Sequence, residues 1–226
     1  MPVVENAPVT ITAFEWVPDF ARGYVRDLRP RWACEEIGLD YAERLISAVE
    51  RPDWYFGEQP FGQVPVMKDG ALKIFESGAI LLHLGEKDER LLPKTGQART
   101  DALCWLFAAL NSVEPYTLEV LLLKFSIDEE WAKLRLPSLA GFVEQRLDLL
   151  ADALGEKEYI SGRFSIADIA MATVLREALH TELVRLRPRL HDYVARCLAR
   201  PAFDKALSAQ LAAFNRTETQ KEKSSS

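Results

Sequence analysis

A small α/β sheet domain followed by an all-helical domain is the fold this sequence predicts. Three observations carry it. Strand-like segments end by residue 75, the last two form a hairpin that runs straight into an apolar helix, and beyond Gly96 the pattern is helical throughout.

Taken in order, Val9 to Phe14 (VTITAF) is β-branched and alternating, which reads as a strand. A long mixed connection, Glu15 to Arg26, follows it. Arg29 to Ile37 has helical character and stops at Gly38, where a glycine can take the left-handed backbone that ends helices. Tyr41 to Val49 can form a second strand, and Pro52, Gly57, Pro60 and Gly62 mark an irregular loop. Val64 to Lys68 and Ala71 to Phe75 flank Asp69-Gly70, the dipeptide that type I′ hairpin turns prefer. Glu76-Ser77 then opens an apolar helix, with Ser77 as the natural N-cap. Strand, helix, strand, hairpin and helix in this order indicate an α/β sandwich around a small mixed sheet.

Pro93-Lys94-Thr95-Gly96 is a polar break and places the domain boundary, giving residues 1–93 and 94–216. Helical patterns run from Gln97 to Phe125, with Pro115 expected to bend the first, and from Glu129 to Leu154, which contains Pro137. Ser165-Ile166-Ala167-Asp168 is a capping box with Asp in place of Glu, and Phe164 ahead of it can staple against Ile169 or a neighbour. Pro188 and Pro201 separate two more short helices. The polar, low-complexity end, 217–226, is expected to be a disordered tail.

The 226 residues carry 28 Lys+Arg against 34 Asp+Glu, a net charge of −6. An acidic chain without a basic stripe is a poor partner for nucleic acid or an anionic membrane. No unbroken apolar run approaches the roughly 20 residues of a membrane-spanning helix, and Met1 to Glu5 has no signal-peptide character. Cys34, Cys104 and Cys197 are too scattered for a disulfide framework or metal cluster and read as small buried residues on helix faces. A cytoplasmic location follows. Arg22, Arg26, Arg29 and Arg31 cluster among acidic neighbours, a patch suited to a small anionic ligand.

Val64-Pro65 ahead of the hairpin, Glu76-Ser77 at the helix start, Arg29-x-Arg31-Trp32-Ala33-x-Glu35-Glu36-x-Gly38-Leu39-x-Tyr41 and the Ser165–Asp168 box occur in one order and spacing. Together they resemble the cytosolic glutathione transferases over nearly the whole chain. The resemblance implies a thioredoxin-like N-terminal domain, an all-α C-terminal domain, a homodimer, and glutathione as co-substrate. It also implies a cis Val64-Pro65 bond that turns the backbone of Val64 outward, so that an extended peptide pairs with it as an added strand. The alternative is an ordinary edge-strand proline. Glu76-Ser77 would hold the other end of the ligand: free amides at the helix start suit the γ-glutamyl carboxylate, and Glu76 its amino group. Alternatively Ser77 is only a cap. Gln63 is placed by the resemblance near the middle or glycine end of the peptide.

Glutathione must react as its thiolate, whereas a free thiol has a pKa of about 8.5. Related families supply a Ser, Tyr or Cys just after the first strand, but Phe14 to Asp27 contains no serine or cysteine. Tyr24 carries the only hydroxyl there, flanked by Arg22 and Arg26, and the order of candidates is Tyr24, Arg22, Arg26. The competing reading packs the Tyr24 ring and spends the arginines on Asp19 and Asp27; backbone amides are a third option. No Cys-x-x-Cys follows the first strand, which excludes dithiol exchange, and Cys34 lies too far along its helix to be an N-terminal thiolate. His83, His180 and His191 lack partners at ligand spacing and read as structural or exposed. An apolar electrophile is expected between the domains, near some of Trp105, Phe107, Leu110 and Tyr116. Rival functions are a glutathione-dependent disulfide or peroxide reductase and a non-enzymatic scaffold.

Overall fold

The computed structural model describes residues 3–179 and 181–224. The chain divides into two compact units: one runs to Leu91 and resumes at Arg200, the other is Leu92–Ala199.

The first unit is built on a four-stranded sheet in the order β2-β1-β3-β4. Strand β1 (Val9–Phe14) pairs in parallel with β2 (Tyr41–Ile46), and helix α1 (Leu28–Ile37) connects them. Strand β3 (Val66–Asp69) runs antiparallel to β1 and pairs with β4 (Leu72–Phe75), which leads into helix α2 (Ser77–Lys87). Gly38 ends α1 at φ 70°, as the sequence pattern expects. Because Asp69 is already paired with Leu72, the hairpin loop is Gly70-Ala71. Of these two only Gly70 has positive φ, which is the glycine-first two-residue turn in place of the Asp-Gly type I′. Asp69 is instead tied to α2, with His83 Nε2 at 2.8 Å and Lys87 Nζ at 2.6 Å. His83 therefore has a partner that sequence spacing hid; hydrogen bonds from Lys87 and His83 hold the Asp69 carboxyl below its ordinary range. His180 lies outside the described residues.

The last helix, α9 (Pro201–Ser224), belongs to this unit and not to the helical one. It packs on α1, where the Trp32 and Phe203 rings meet edge to face at 5.0 Å and Arg200 grips Glu36 through Nε at 2.6 Å and Nη2 at 2.7 Å. Thr217 to Ser224, expected as a disordered tail, continue this helix. Neither the length of α9 nor its destination could be read from composition, because its partner is far away in sequence.

The second unit holds α3 (Gly96–Phe107), α4 (Glu114–Leu123), α5 (Glu130–Leu154), α6 (Ile166–Glu177), the short α7 (Glu182–Arg185) and α8 (Pro188–Leu198). Between α3 and α4, Ala108–Val113 widens into a π-helical turn. Pro115 follows it in the first turn of α4. A proline cannot donate to the carbonyl four residues back, and the wider turn relieves the clash of its ring there, so the bend is taken up ahead of the proline. Gly96–Ser126 makes 31 residues of helix, long and apolar enough by length and composition to cross a bilayer. Those properties belong equally to a core helix, and α3 packs on α6 while α4 packs on α5 and α6. Tyr116 of α4 is taken up within this unit, its ring 4.9 Å from that of Phe142 and under the Arg146 guanidinium. Cys34 and Cys197 are buried, but Cys104 is exposed on α3.

The Ser165 box forms at the start of α6. Ser165 Oγ accepts from the Ala167 amide at 3.2 Å, and Asp168 Oδ2 accepts from the Ser165 amide at 2.9 Å. Asp168 is fully buried and does more than cap, since Oδ1 also accepts from the Ile160 amide and the Tyr193 hydroxyl, each at 2.9 Å. Phe164 finds its neighbour in Tyr159, with ring centroids 5.4 Å apart.

Candidate functional site

Val64-Pro65 and Glu76-Ser77 meet at the end of the sheet where β1 finishes. The Val64-Pro65 bond is cis. The β3–β4 ladder ends with Val66 opposite Phe75, so Pro65 and Glu76 continue from the same end of the hairpin. Val64 is buried in a cluster with Ile46, Tyr55 and Val66, against which Phe14 and Val25 pack. Among the described residues the Val64 backbone makes no hydrogen bond.

The loop ahead of Val64 is held by side chains the sequence reading missed. Gln59, nearly fully buried, accepts through Oε1 from the amides of Phe61 (2.6 Å) and Gln63 (3.1 Å). The Tyr55 hydroxyl, whose pKa burial pushes well up, donates to the Gln63 carbonyl at 2.7 Å. Gln63 is thus fixed by its backbone and leaves its side chain exposed. Glu58 ties this loop to the sheet: its carboxylate takes Arg44, itself bonded to Thr12 Oγ1, and Lys68 Nζ at 2.6 Å. Burial raises the Glu58 pKa, but the hydrogen bonds from Arg44 and Lys68 outweigh it and bring the carboxyl down to about 2.

At the other side of the hairpin end, Glu76 has φ 68° and ψ 120° and an exposed side chain. A non-glycine residue held at positive φ costs of order 1 kcal/mol or more, and such outliers cluster at ligand sites. Ser77 is the first residue of α2 and not its N-cap; Glu76 holds that position without a side-chain cap bond. The Ser77 hydroxyl instead accepts from Arg29 Nη1 at 3.1 Å. Arg29, in the first turn of α1 and 1% exposed, puts a guanidinium beside the free amides of α2, adding to the attraction for an anion there.

The arginine cluster does not form one ligand patch. Arg31 is fully buried between Asp27, at 2.7 Å, and Glu43, and Glu43 also takes Arg216 from α9. Burial pulls against the Arg31 charge, yet Asp27 and Glu43 more than restore it. Arg22 lies 3.3 Å from Asp19 and over the Phe214 ring of α9 at 5.8 Å. Arg26 and Tyr24 are half-buried in a run of turns, Arg22 to Asp27, that leads into α1. In this run the Tyr24 amide donates to the Ala21 carbonyl and the Leu28 amide to that of Val25. Val25 packs against the Val64 cluster, so the Tyr24 turn borders the cis-proline edge. Arg29 and Ser77 each belong to a sequence motif, but nothing in the sequence paired them. Gln59 carried no sequence signal at all.

A parallel β1–α1–β2 unit joined to an antiparallel hairpin and a helix, with a cis proline opening the hairpin, defines a thioredoxin-like domain. Comparison with known proteins carries this further. Residues 20–86 match the glutathione S-transferase N-terminal domain. Glutathione S-transferase F9 of Arabidopsis thaliana is 32% identical over 168 residues, 68% of this chain and 74% of that protein. Glutathione S-transferase F10 of the same plant is 36% identical, but the match spans only 62% of its length, less than two thirds. Among solved structures, a glutathione transferase family member from Pseudomonas fluorescens with two glutathione molecules bound superposes with TM-score 0.77 at 26% identity, covering 90% of this chain and 94% of that one. The chain belongs to the glutathione S-transferase family.

Proposed function

We propose that this protein is a glutathione-dependent transferase that activates the glutathione thiol for attack on an apolar electrophile. The observation that carries the reading is the meeting of the Val64-Pro65 edge with the strained Glu76 and Ser77 at one end of the β3–β4 hairpin. Glutathione pairs its extended backbone with Val64. Its γ-glutamyl carboxylate sits at the first amides of α2 beside Ser77, and its ammonium meets Glu76. The exposed side-chain carboxamide of Gln63 serves the middle or glycine end of the peptide.

The cysteinyl sulfur then faces the turn that carries Tyr24. Each pKa unit by which the thiol is lowered requires about 1.4 kcal/mol of preference for the anion. A hydroxyl hydrogen bond from Tyr24, with the cations of Arg22 and Arg26 nearby, supplies preference of that kind. Arg22 already shares its charge with Asp19, which keeps Tyr24 first. The thiol proton passes to solvent, and the sulfur lone pair forms a C–S bond to the electrophile. A leaving group departs with its bonding electrons, or an epoxide oxygen opens and takes up a proton. The role is detoxification of such electrophiles by a cytoplasmic homodimer without a nucleic-acid or membrane partner; three cysteines outside any disulfide suit a reducing compartment.

Calorimetric titration with reduced glutathione in two buffers of different ionisation enthalpy tests this. Binding with proton release is expected. Absence of binding at millimolar glutathione would reject the reading in favour of a scaffold.

A further inference from the structure

The turn from Arg22 to Asp27 is not held by α1 alone. Gln210 of α9 is fully buried and spends both hydrogens of its carboxamide on this one turn. Its Nε2 donates to the Val25 carbonyl at 3.0 Å and to Asp27 Oδ1 at 2.7 Å. An amide nitrogen has two donors, so the pair of bonds saturates it and fixes two points of the turn at once. One helical turn further along α9, Phe214 lies under Arg22 at the opposite end of the same segment. Residues four apart share a helix face, so one face of α9 spans the whole turn.

The second carboxylate oxygen of Asp27 is occupied by Arg31 Nε at 2.7 Å. Asp27 is 1% exposed, and burial raises its pKa against the pull of Arg31. Gln210 therefore also completes the solvation of a buried carboxylate at the entry to α1. Both residues it clamps come just after Tyr24: Val25 follows it directly, and Asp27 ends the turn.

We infer that Gln210 is a positioning residue for thiol activation, holding the Tyr24 turn from the last helix of the chain. The inference rests on the transferase reading, and on Tyr24 or its neighbours acting on the sulfur. Gln210 touches no reacting atom; it sets the distance between the Tyr24 turn and the Val64 edge. A shift of a fraction of an ångström at an activating group is enough to change rate strongly while leaving ligand contacts elsewhere intact.

The test measures, in the full chain, glutathione affinity, the pH dependence of thiolate absorbance in the bound state, and turnover. Gln210→Leu and the longer Gln210→Met both remove the donors and keep an apolar body, so one serves if the other does not fold. Expected are a glutathione Kd within about threefold of the parent, a bound thiol that titrates at higher pH, and kcat lower by about tenfold with KM little changed. Phe203→Leu is the control: it loosens α9 at Trp32, away from the turn, and should lower thermal stability without moving the thiol titration. If both Gln210 variants leave the titration and kcat at parental values, or if Phe203→Leu shifts the titration equally, the inference is overturned. A parent protein that binds no glutathione would instead overturn the transferase reading, so the two failures are distinct.

Discussion

Removing the carboxylate of Asp168 offers the sharpest stability test. Four donors converge on it: the amides of Ile160 and Ser165 and the Tyr193 hydroxyl at 2.9 Å, and the Ser165 hydroxyl at 3.2 Å. Ser165 can redirect its hydroxyl to Ser161, 3.2 Å away, but the two amides and Tyr193 lose their acceptor in Asp168→Ala. A buried donor left unpaired costs about 1–3 kcal/mol, so three of them cost roughly 6 kcal/mol. Against this stands the relief of a buried charge. Burial pushes the Asp168 carboxyl from 3.8 up to about 6 in spite of its donors, which corresponds to about 3 kcal/mol held against the anion at neutral pH. The net expectation is a loss of about 3 kcal/mol, well above the roughly 1 kcal/mol of a lost cap alone. Urea unfolding followed by circular dichroism reads it directly, with Ser165→Ala beside it as the cap-only comparison. Asp168→Asn, which keeps one acceptor oxygen, should fall between the two. If Asp168→Ala cost no more than Ser165→Ala, the picture of a carboxylate serving three elements at once would be wrong.

Tyr24→Phe should lower turnover by about 10- to 100-fold while glutathione affinity stays within a few-fold, and unchanged turnover removes Tyr24 from the mechanism. Glu58, with its carboxyl brought from 4.5 down to about 2, contributes stability that is present above pH 4.5 and drains away as pH falls toward 2. Its cationic partners are partly open to water, so about 1 kcal/mol of the acid-induced loss should vanish in Glu58→Gln when melting is followed against pH. Gly62 sits at φ 65°, and a Cβ there would approach the Phe56 ring at 2.9 Å and Arg51 Cδ at 3.0 Å. Gly62→Ala is therefore expected to cost about 1–2 kcal/mol in urea unfolding and to weaken glutathione binding through its neighbour Gln63.

What the sequence revealed and what it hid divide along a physical line. Local signals translated well: the stop at Gly38, the hairpin and the Ser165 box each depend on neighbours within a few residues, whereas the cis Val64-Pro65 bond was implied by the family resemblance alone. Long-range partners did not. Charge spacing gave no means to tell that Arg31 is buried against Asp27 and Glu43, or that Arg29 reaches Ser77, 48 residues away. The Ser77 cap failed for a similar reason: the preference of serine for helix starts is real, but its hydroxyl is committed to Arg29 and the cap passes to a strained Glu76. Gln210 is one polar residue on an otherwise ordinary helix, and only the arrangement of α9 on the Arg22–Asp27 turn gives it meaning.

The membership of α9 in the sheet unit has a consequence for synthesis. The unit is assembled from both ends of the chain, with the whole of Leu92–Ala199 translated in between. As the polypeptide leaves the ribosome, β1 through α2 emerge early, yet Trp32 lacks the Phe203 ring, Asp27 lacks Gln210 and Glu43 lacks Arg216 until the final helix appears. A nascent chain arrested after Ala199 should therefore hold a sheet domain that is built but unsealed, with a face of α1 open to chaperones until α9 has emerged.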